Sequence, residues 1–176
     1  MKLENLIVKE LDLPGVLLIT PKLFSDERGW FSEIYNPQVF AEIGIKDNFV
    51  QDSISYSKKN VLRGLHYQEG PHSQSKLVRC GQGKIFDVAV DFNRESRTFG
   101  KYCSVVLAGE EQSMLYIPSK YAHGFCVLSD EALVSYKLSG EHNPEFARTL
   151  HYADPAFGIE WPVEKPILSE KDRKCS

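Results

Sequence analysis

A chain of 176 residues is expected to form one domain over residues 1–176, with room for a substantial core. Its 42% hydrophobic and 26% charged residues are those of an ordinary globular protein, and a net charge of −3 argues against a general nucleic-acid binder, which needs a positive field. No apolar run reaches bilayer-spanning length, and Lys2, Glu4, Lys9, Glu10 and Asp12 do not suit a secretory signal, so the expected location is the cytoplasm, with no membrane partner.

In chain order, residues 16–19 form a short β-branched stretch that reads as a strand. Asn36 is placed to cap a helix, Pro37 suits its first position and Gly44 its end, while Val39, Phe40 and Ile43 supply one apolar stripe. Residues 61–68 read Val-Leu-Arg-Gly-Leu-His-Tyr-Gln. Regular alternation there puts Arg63, Leu65 and Tyr67 on one face and Leu62, Gly64, His66 and Gln68 on the other. Two strands follow at 76–80 and 84–92, and Gly81-Gln82-Gly83 between them reads as a hairpin turn. The second alternates cleanly, with Phe86, Val88, Val90 and Phe92 opposite Ile85, Asp87, Ala89 and Asp91. Further short strands are predicted at 102–107, 114–117, 124–128 and 132–138. Short strands separated by turn residues imply a mostly β sandwich or closed barrel with a small helical contribution.

Cys80, Cys103, Cys126 and Cys175 are widely spaced, without a CxxC pair, and are expected as free thiols. Chemistry gathers elsewhere. His66 and Gln68 are expected to point into a barrel lumen, with Lys76 on a neighbouring strand, His123 in the Ala122-His-Gly-Phe125 run, and Tyr136 in a later strand. A histidine, a lysine and a tyrosine in one small barrel supply the base, cation and acid for proton abstraction beside a carbonyl. Each also has a plain structural explanation: a satisfied core histidine, a strand-edge lysine, an interior tyrosine with one partner. Gly81 and Gly83 have no strand-to-helix context and are punctuation rather than a phosphate loop.

Longer motifs weigh against coincidence. They are Phe24-Ser-Asp-Glu-Arg-Gly-Trp-Phe31 with Glu33, Phe49-Val-Gln-Asp52, residues 61–68, Gln74-Ser-Lys-Leu-Val78, Phe86-Asp-Val-Ala-Val-Asp91, residues 122–125, Tyr136-Lys137, Trp161-Pro162 and Leu168-Ser-Glu-Lys-Asp172. In this order, across residues 7–172, the chain resembles the dTDP-4-dehydrorhamnose 3,5-epimerases, metal-free enzymes of deoxysugar biosynthesis. The resemblance implies a jelly-roll, cupin-like β-sandwich barrel with a few short helices.

It also implies roles. His66 matches the catalytic base and Asp172 the carboxylate that orients it. Lys76 matches the residue facing the enolate, and Tyr136 the acid on the opposite sugar face. Arg28 and Arg63 match arginines that grip the nucleotide diphosphate. Glu33 and Gln51 match positions near the thymidine end, where Trp30 is placed to stack, Ser53 stands where the family's Asn often contributes near the nucleotide, and His123 matches a histidine that positions the sugar. The implied substrate is a dTDP-linked 4-keto-6-deoxy sugar, with no cofactor and no metal. The implied assembly is a homodimer in which the segment from Arg28 to Glu33 reaches the neighbouring site. One departure stands out: after Val-Gln-Asp the family commonly has Asn-His-Ser-Arg-Ser, and this chain has Ser53-Ile54-Ser55-Tyr56-Ser57. That change bears on the nucleotide and sugar contacts and leaves open a single-centre epimerase or a 3,4-ketoisomerase. A metal-dependent cupin using His66, Glu69, His72 and His123 lacks the usual His-x-His pair. A non-catalytic sugar-nucleotide module needs Arg28, Arg63 and Gln51 but not the four catalytic residues together.

Overall fold

The computed structural model describes residues 2–174, and Cys175 lies outside them. The chain enters through β1 (Leu6–Glu10) and β2 (Leu17–Pro21), makes a separate hairpin of β3 (Phe24–Asp26) and β4 (Gly29–Phe31), and turns into the helix α1 (Pro37–Glu42). Asn36 caps this helix as its position predicts: its side-chain oxygen accepts from the backbone N–H groups of Gln38 and Val39. Gly44 follows the helix in the left-handed region, at φ 91°.

Next come β5 (Gln51–Lys58), β6 (Leu62–Gln68), β7 (Lys76–Gln82), β8 (Lys84–Val90), β9 (Tyr102–Ala108), β10 (Met114–Ile117), β11 (Ala122–Val127), β12 (Glu131–Leu138) and β13 (Ala147–Thr149). A short helix, α2 (Glu170–Lys174), follows. One antiparallel sheet runs β1-β2-β10-β7-β12-β5 and the other β13-β6-β11-β8-β9. The architecture is the mostly β, jelly-roll, cupin-like sandwich expected. Among the described residues no helix is long and apolar enough to cross a membrane.

The two sheets close on a shared apolar core. Val78, Leu115 and Val134 come from one sheet, and Ile85, Leu107 and Phe125 from the other, all fully or almost fully buried. Each such side chain stabilises the fold by roughly 1.5–3 kcal/mol relative to exposure. A second cluster, with Phe40 of α1 packed on Ile19, Leu77 and Met114, covers the far face of the first sheet. A third holds Leu65, Val90 and Phe157 on the outside of the second. Cys80, Cys103 and Cys126 are buried free thiols, and burial pushes Cys80 and Cys126 up to about 11 and Cys103 up to about 12, which keeps them unreactive.

One expectation is corrected here. The Gly81-Gln82-Gly83 stretch is not a hairpin, because β7 and β8 lie in different sheets. Both edges of β7 are taken by β10 and β12, and both edges of β8 by β11 and β9. Gly83 instead carries the chain from one sheet to the other at φ 81°, where a Cβ would stand 2.1 Å from the Glu131 carbonyl oxygen. The link has a hairpin's local sequence, but strand pairing is decided by distant partners.

Candidate active site

The lumen opens between β5, β6, β7, β11 and β12 as a cavity of about 290 Å³ walled by Ser55, Arg63, His66, Lys76, His123 and Tyr136, among others. A neighbouring lobe of about 560 Å³ shares Arg63, His66 and Lys76 and extends to Arg148, Lys171 and Asp172.

β6 reaches this cavity with an irregular strand. His66 pairs with His123 and Arg63 with Phe125, so two steps along β11 match three along β6. The extra residue reverses the alternation. It falls at Gly64, whose added Cβ would meet the Gly124 Cα at 2.5 Å, so only glycine lets the two backbones approach there. The even alternation expected for residues 61–68 is therefore corrected. Arg63 and His66 share the cavity, while Leu65 and Tyr67 join the outer apolar cluster. Gln68 is spent on the backbone, donating to the carbonyls of His72 and Glu141 and accepting from Asn143 N–H.

Lys76 is not on a strand beside β6, as expected, but on the opposite sheet. Its Nζ donates to the His66 carbonyl oxygen at 2.9 Å. Burial pulls its ammonium down to about 8, against the attraction of Asp87.

His66 is held from its side chain as well. Its Nε2 lies 2.6 Å from Asp172 Oδ1, with the His66 side chain 40% exposed and the carboxylate 3%. Asp172 arrives because the C-terminal segment runs beside the start of β6: Leu62 N–H donates to Ile167, and Ile167 N–H donates to Asn60. Ser169 then donates through Oγ to Asp172 Oδ2 at 2.8 Å and accepts from Asp172 N–H. Burial pushes the Asp172 carboxyl up, but His66, Ser169 and Lys171 outweigh it and hold the group below the ordinary carboxylate value. The result is an imidazole whose ring is fixed in orientation by a carboxylate.

A second such pair lies alongside. His123 Nε2 is 2.7 Å from Asp87 Oδ1, with side-chain exposures of 5% and 0%. Burial lowers the His123 pKa despite Asp87, and Lys76 and His66 lower it further. Asp87 Oδ2 has no hydrogen-bond partner among the described residues. Reasoning from sequence did not single out Asp87 as functional. The available signal was an acid on the inward-facing half of an otherwise apolar alternation.

Tyr136 approaches from β12, its hydroxyl 2.8 Å from Ser55 Oγ and its ring 6.3 Å from His123, edge to face. Burial raises its pKa strongly, while Ser55 and Arg63 pull it back. Arg63 donates through Nε to Ser57 Oγ. Ser53 lines the cavity and accepts from Gln51 Nε2 at 3.0 Å, and Gln51 Oε1 accepts from His142 N–H. The structure thus gathers His66, Asp172, Lys76, Tyr136, Arg63, Ser53 and His123, with Gln51 joined to them through Ser53. Arg28 and Glu33 line neither lobe of this chain's cavity. Arg28 pairs with Asp26 on the β3–β4 hairpin with its side chain 83% exposed, Trp30 beside it is 51% exposed, and Glu33 accepts from Asn36 Nδ2.

The four residues of the metal-cupin alternative do not converge. His66 and His123 are bound to carboxylates, Glu69 pairs with Arg148, and His72 stacks on Phe146. No group of three or more His, Cys, Asp or Glu among the described residues is arranged to hold a metal ion.

Comparison with known proteins agrees with this geometry. A family profile described as dTDP-4-dehydrorhamnose 3,5-epimerase matches residues 10–176. The chain is 51% identical over 166 residues to the dTDP-4-dehydrorhamnose 3,5-epimerase of Shigella flexneri, covering 94% of this chain and 92% of that one. Its fold superposes with a TM-score of 0.93 on the dTDP-6-deoxy-D-glucose-3,5-epimerase of Legionella pneumophila in complex with dTDP-4-keto-L-rhamnose, at 42% identity over 97% of this chain and 91% of that one. A 3'-monoepimerase from Streptomyces bikiniensis, in complex with dTDP-quinovose, matches less well, with TM-score 0.88 and 30% identity over 94% of this chain and 84% of that one.

Proposed function

The chain belongs to the dTDP-4-dehydrorhamnose 3,5-epimerase family, and on that premise we propose that it is an isomerase converting dTDP-4-dehydro-6-deoxyglucose to dTDP-4-dehydrorhamnose by inverting C3 and C5. One observation carries the reading. His66 stands on β6 of one sheet and Tyr136 on β12 of the other, so a proton-accepting and a proton-donating group enter the same cavity from opposite walls. Inversion needs removal from one face and delivery to the other.

The C4 ketone acidifies the hydrogens on its neighbouring carbons. His66 takes one of them, and Asp172 stabilises the imidazolium that results, a general-base contribution of about 10²–10⁴-fold. Charge moves to the ketone oxygen, where the Lys76 ammonium stabilises the enolate by roughly 10²–10³ in rate. Tyr136 returns a proton from the opposite face. Arg63 grips the diphosphate with its guanidinium fork, Gln51 and Ser53 contact the nucleotide end, and His123 positions the sugar.

Arg28 and Glu33 lie outside this chain's own cavity, and the hairpin that carries Arg28 exposes Phe24, Trp30 and Phe31. Edge strand β5 exposes Ile54 and Tyr56 as well. These surfaces favour a homodimer in which Arg28 and Glu33 serve the partner's site. The enzyme works as one domain in the cytoplasm, with no metal, organic cofactor, nucleic acid or membrane partner.

Incubation with dTDP-4-dehydro-6-deoxyglucose in heavy water tests the assignment by NMR. Deuterium at both C3 and C5 is the expected result. Label at one carbon alone identifies a single-centre epimerase, and carbonyl migration identifies a ketoisomerase.

A further inference from the structure

β5 is an edge strand whose cavity side is lined with hydroxyls. Gln51, Ser53, Ser55 and Ser57 alternate inward, and Asp52, Ile54, Tyr56 and Lys58 outward. Ser53 accepts from Gln51 and Ser57 from Arg63, whereas Ser55 meets the hydroxyl of Tyr136 at 2.8 Å. Ser55 and Tyr136 both line the cavity.

A tyrosine that has delivered its proton to carbon is left as a phenolate, while the histidine on the opposite wall holds a proton that it must lose. The enzyme cannot repeat an inversion, or perform the second of two, until this imbalance is reversed. The Tyr136 side chain is half-buried at the cavity wall, and the hydroxyl of Ser55 beside it offers its proton a route.

We propose that Ser55 reloads Tyr136 after each inversion. The Ser55 Oγ–H bond breaks as its proton passes to the Tyr136 phenolate oxygen, and Ser55 Oγ takes a proton from cavity water in the same movement. Water is restored by the proton that the His66 imidazolium releases. One proton leaves the histidine, one arrives at the tyrosine, and none is consumed. The proposal rests on Tyr136 being the acid, as set out above. Two features support it besides the distance. Ser55 pulls the Tyr136 pKa down against burial, as a donor to the phenolate does. Position 55 also faces the cavity rather than the apolar core, so packing makes no demand for a serine there.

The test compares Ser55→Ala and Ser55→Thr with the unaltered protein, in single-turnover and steady-state assays on dTDP-4-dehydro-6-deoxyglucose, at low and high imidazole buffer. In Ser55→Ala the first inversion slows by at most about tenfold, the worth of one neutral hydrogen bond, while steady-state turnover falls roughly 100-fold, the worth of one made to a charged group. Imidazole, a mobile proton donor, restores the steady state, and Ser55→Thr behaves like the unaltered protein. Equal losses in both assays with no response to buffer overturn the relay, as does unimpaired steady-state turnover. Tyr136→Phe separates the two readings. If it still inverts the sugar, the acid assignment itself fails. If it does not, and Ser55→Ala ignores buffer, the relay alone fails.

Discussion

Two histidine–carboxylate pairs stand side by side across the β6–β11 ladder, chemically alike and differently placed. The carboxylates are equally sealed, at 3% exposure for Asp172 and 0% for Asp87, but the His66 side chain is 40% exposed and the His123 side chain 5%. An imidazole open to a cavity and held by a carboxylate is placed to meet a bound molecule. One almost wholly buried is kept neutral, because burial outweighs the carboxylate beside it. The same two residue types thus present an accessible imidazole in one place and a buried one in the other, which is the difference the proposed base assignment of His66 uses.

The largest expected effect breaks the symmetry directly. His66→Ala loses deuterium exchange at both carbons by about 10²–10⁴-fold, measured by NMR in heavy water. His123→Ala retains exchange and lowers kcat/KM by roughly tenfold, a positioning loss. Equal loss of exchange in the two variants would make the pairs functionally equivalent and end the distinction.

A smaller effect probes Asp87 through pH. Burial pulls the Lys76 ammonium down to about 8, and in the proposed mechanism it supports the enolate only when protonated, so kcat is expected to fall as pH rises through about 8. Asp87 raises that value, hence Asp87→Asn moves the alkaline limb to lower pH. A pH–kcat profile is expected to show the variant losing most near pH 8 and least in mild acid. An unmoved limb would remove Asp87 from the support of Lys76.

The smallest effect concerns what aims the open pair. Ser169→Ala deletes the bond to Asp172 Oδ2 and is expected to reduce kcat by about 2- to 10-fold with KM unchanged, the range for one hydrogen bond. Steady-state kinetics with thermal unfolding as a control would check it, because a general loss of structure would lower Tm as well.

Local signals in the sequence were read correctly where the physics is local. Asn36, Pro37 and Gly44 define α1, and the alternation of residues 84–92 separates Asp87 from Phe86, Val88 and Val90 without saying which face turns inward. What was misread depends on distant partners. The Gly81–Gly83 link has a hairpin's sequence, but its flanking strands are claimed by others. The β6 irregularity needs Gly64 to meet Gly124, a glycine well along the chain, and no window around Arg63 reveals it. Asp172 sits in a charged stretch with nothing local to distinguish it, and its role came from resemblance alone. Ser55 is an ordinary serine until Tyr136 of the adjacent strand is placed beside it.

The segment that carries Asp172 has a consequence for how activity arises. A polypeptide emerging from its amino end contains every strand of both sheets before it contains that carboxylate, since β13 closes at Thr149. His66 therefore takes its carboxylate from a segment that belongs to neither sheet. The sheets position the imidazole, and a separate stretch of chain, held to β6 through Ile167, aims it.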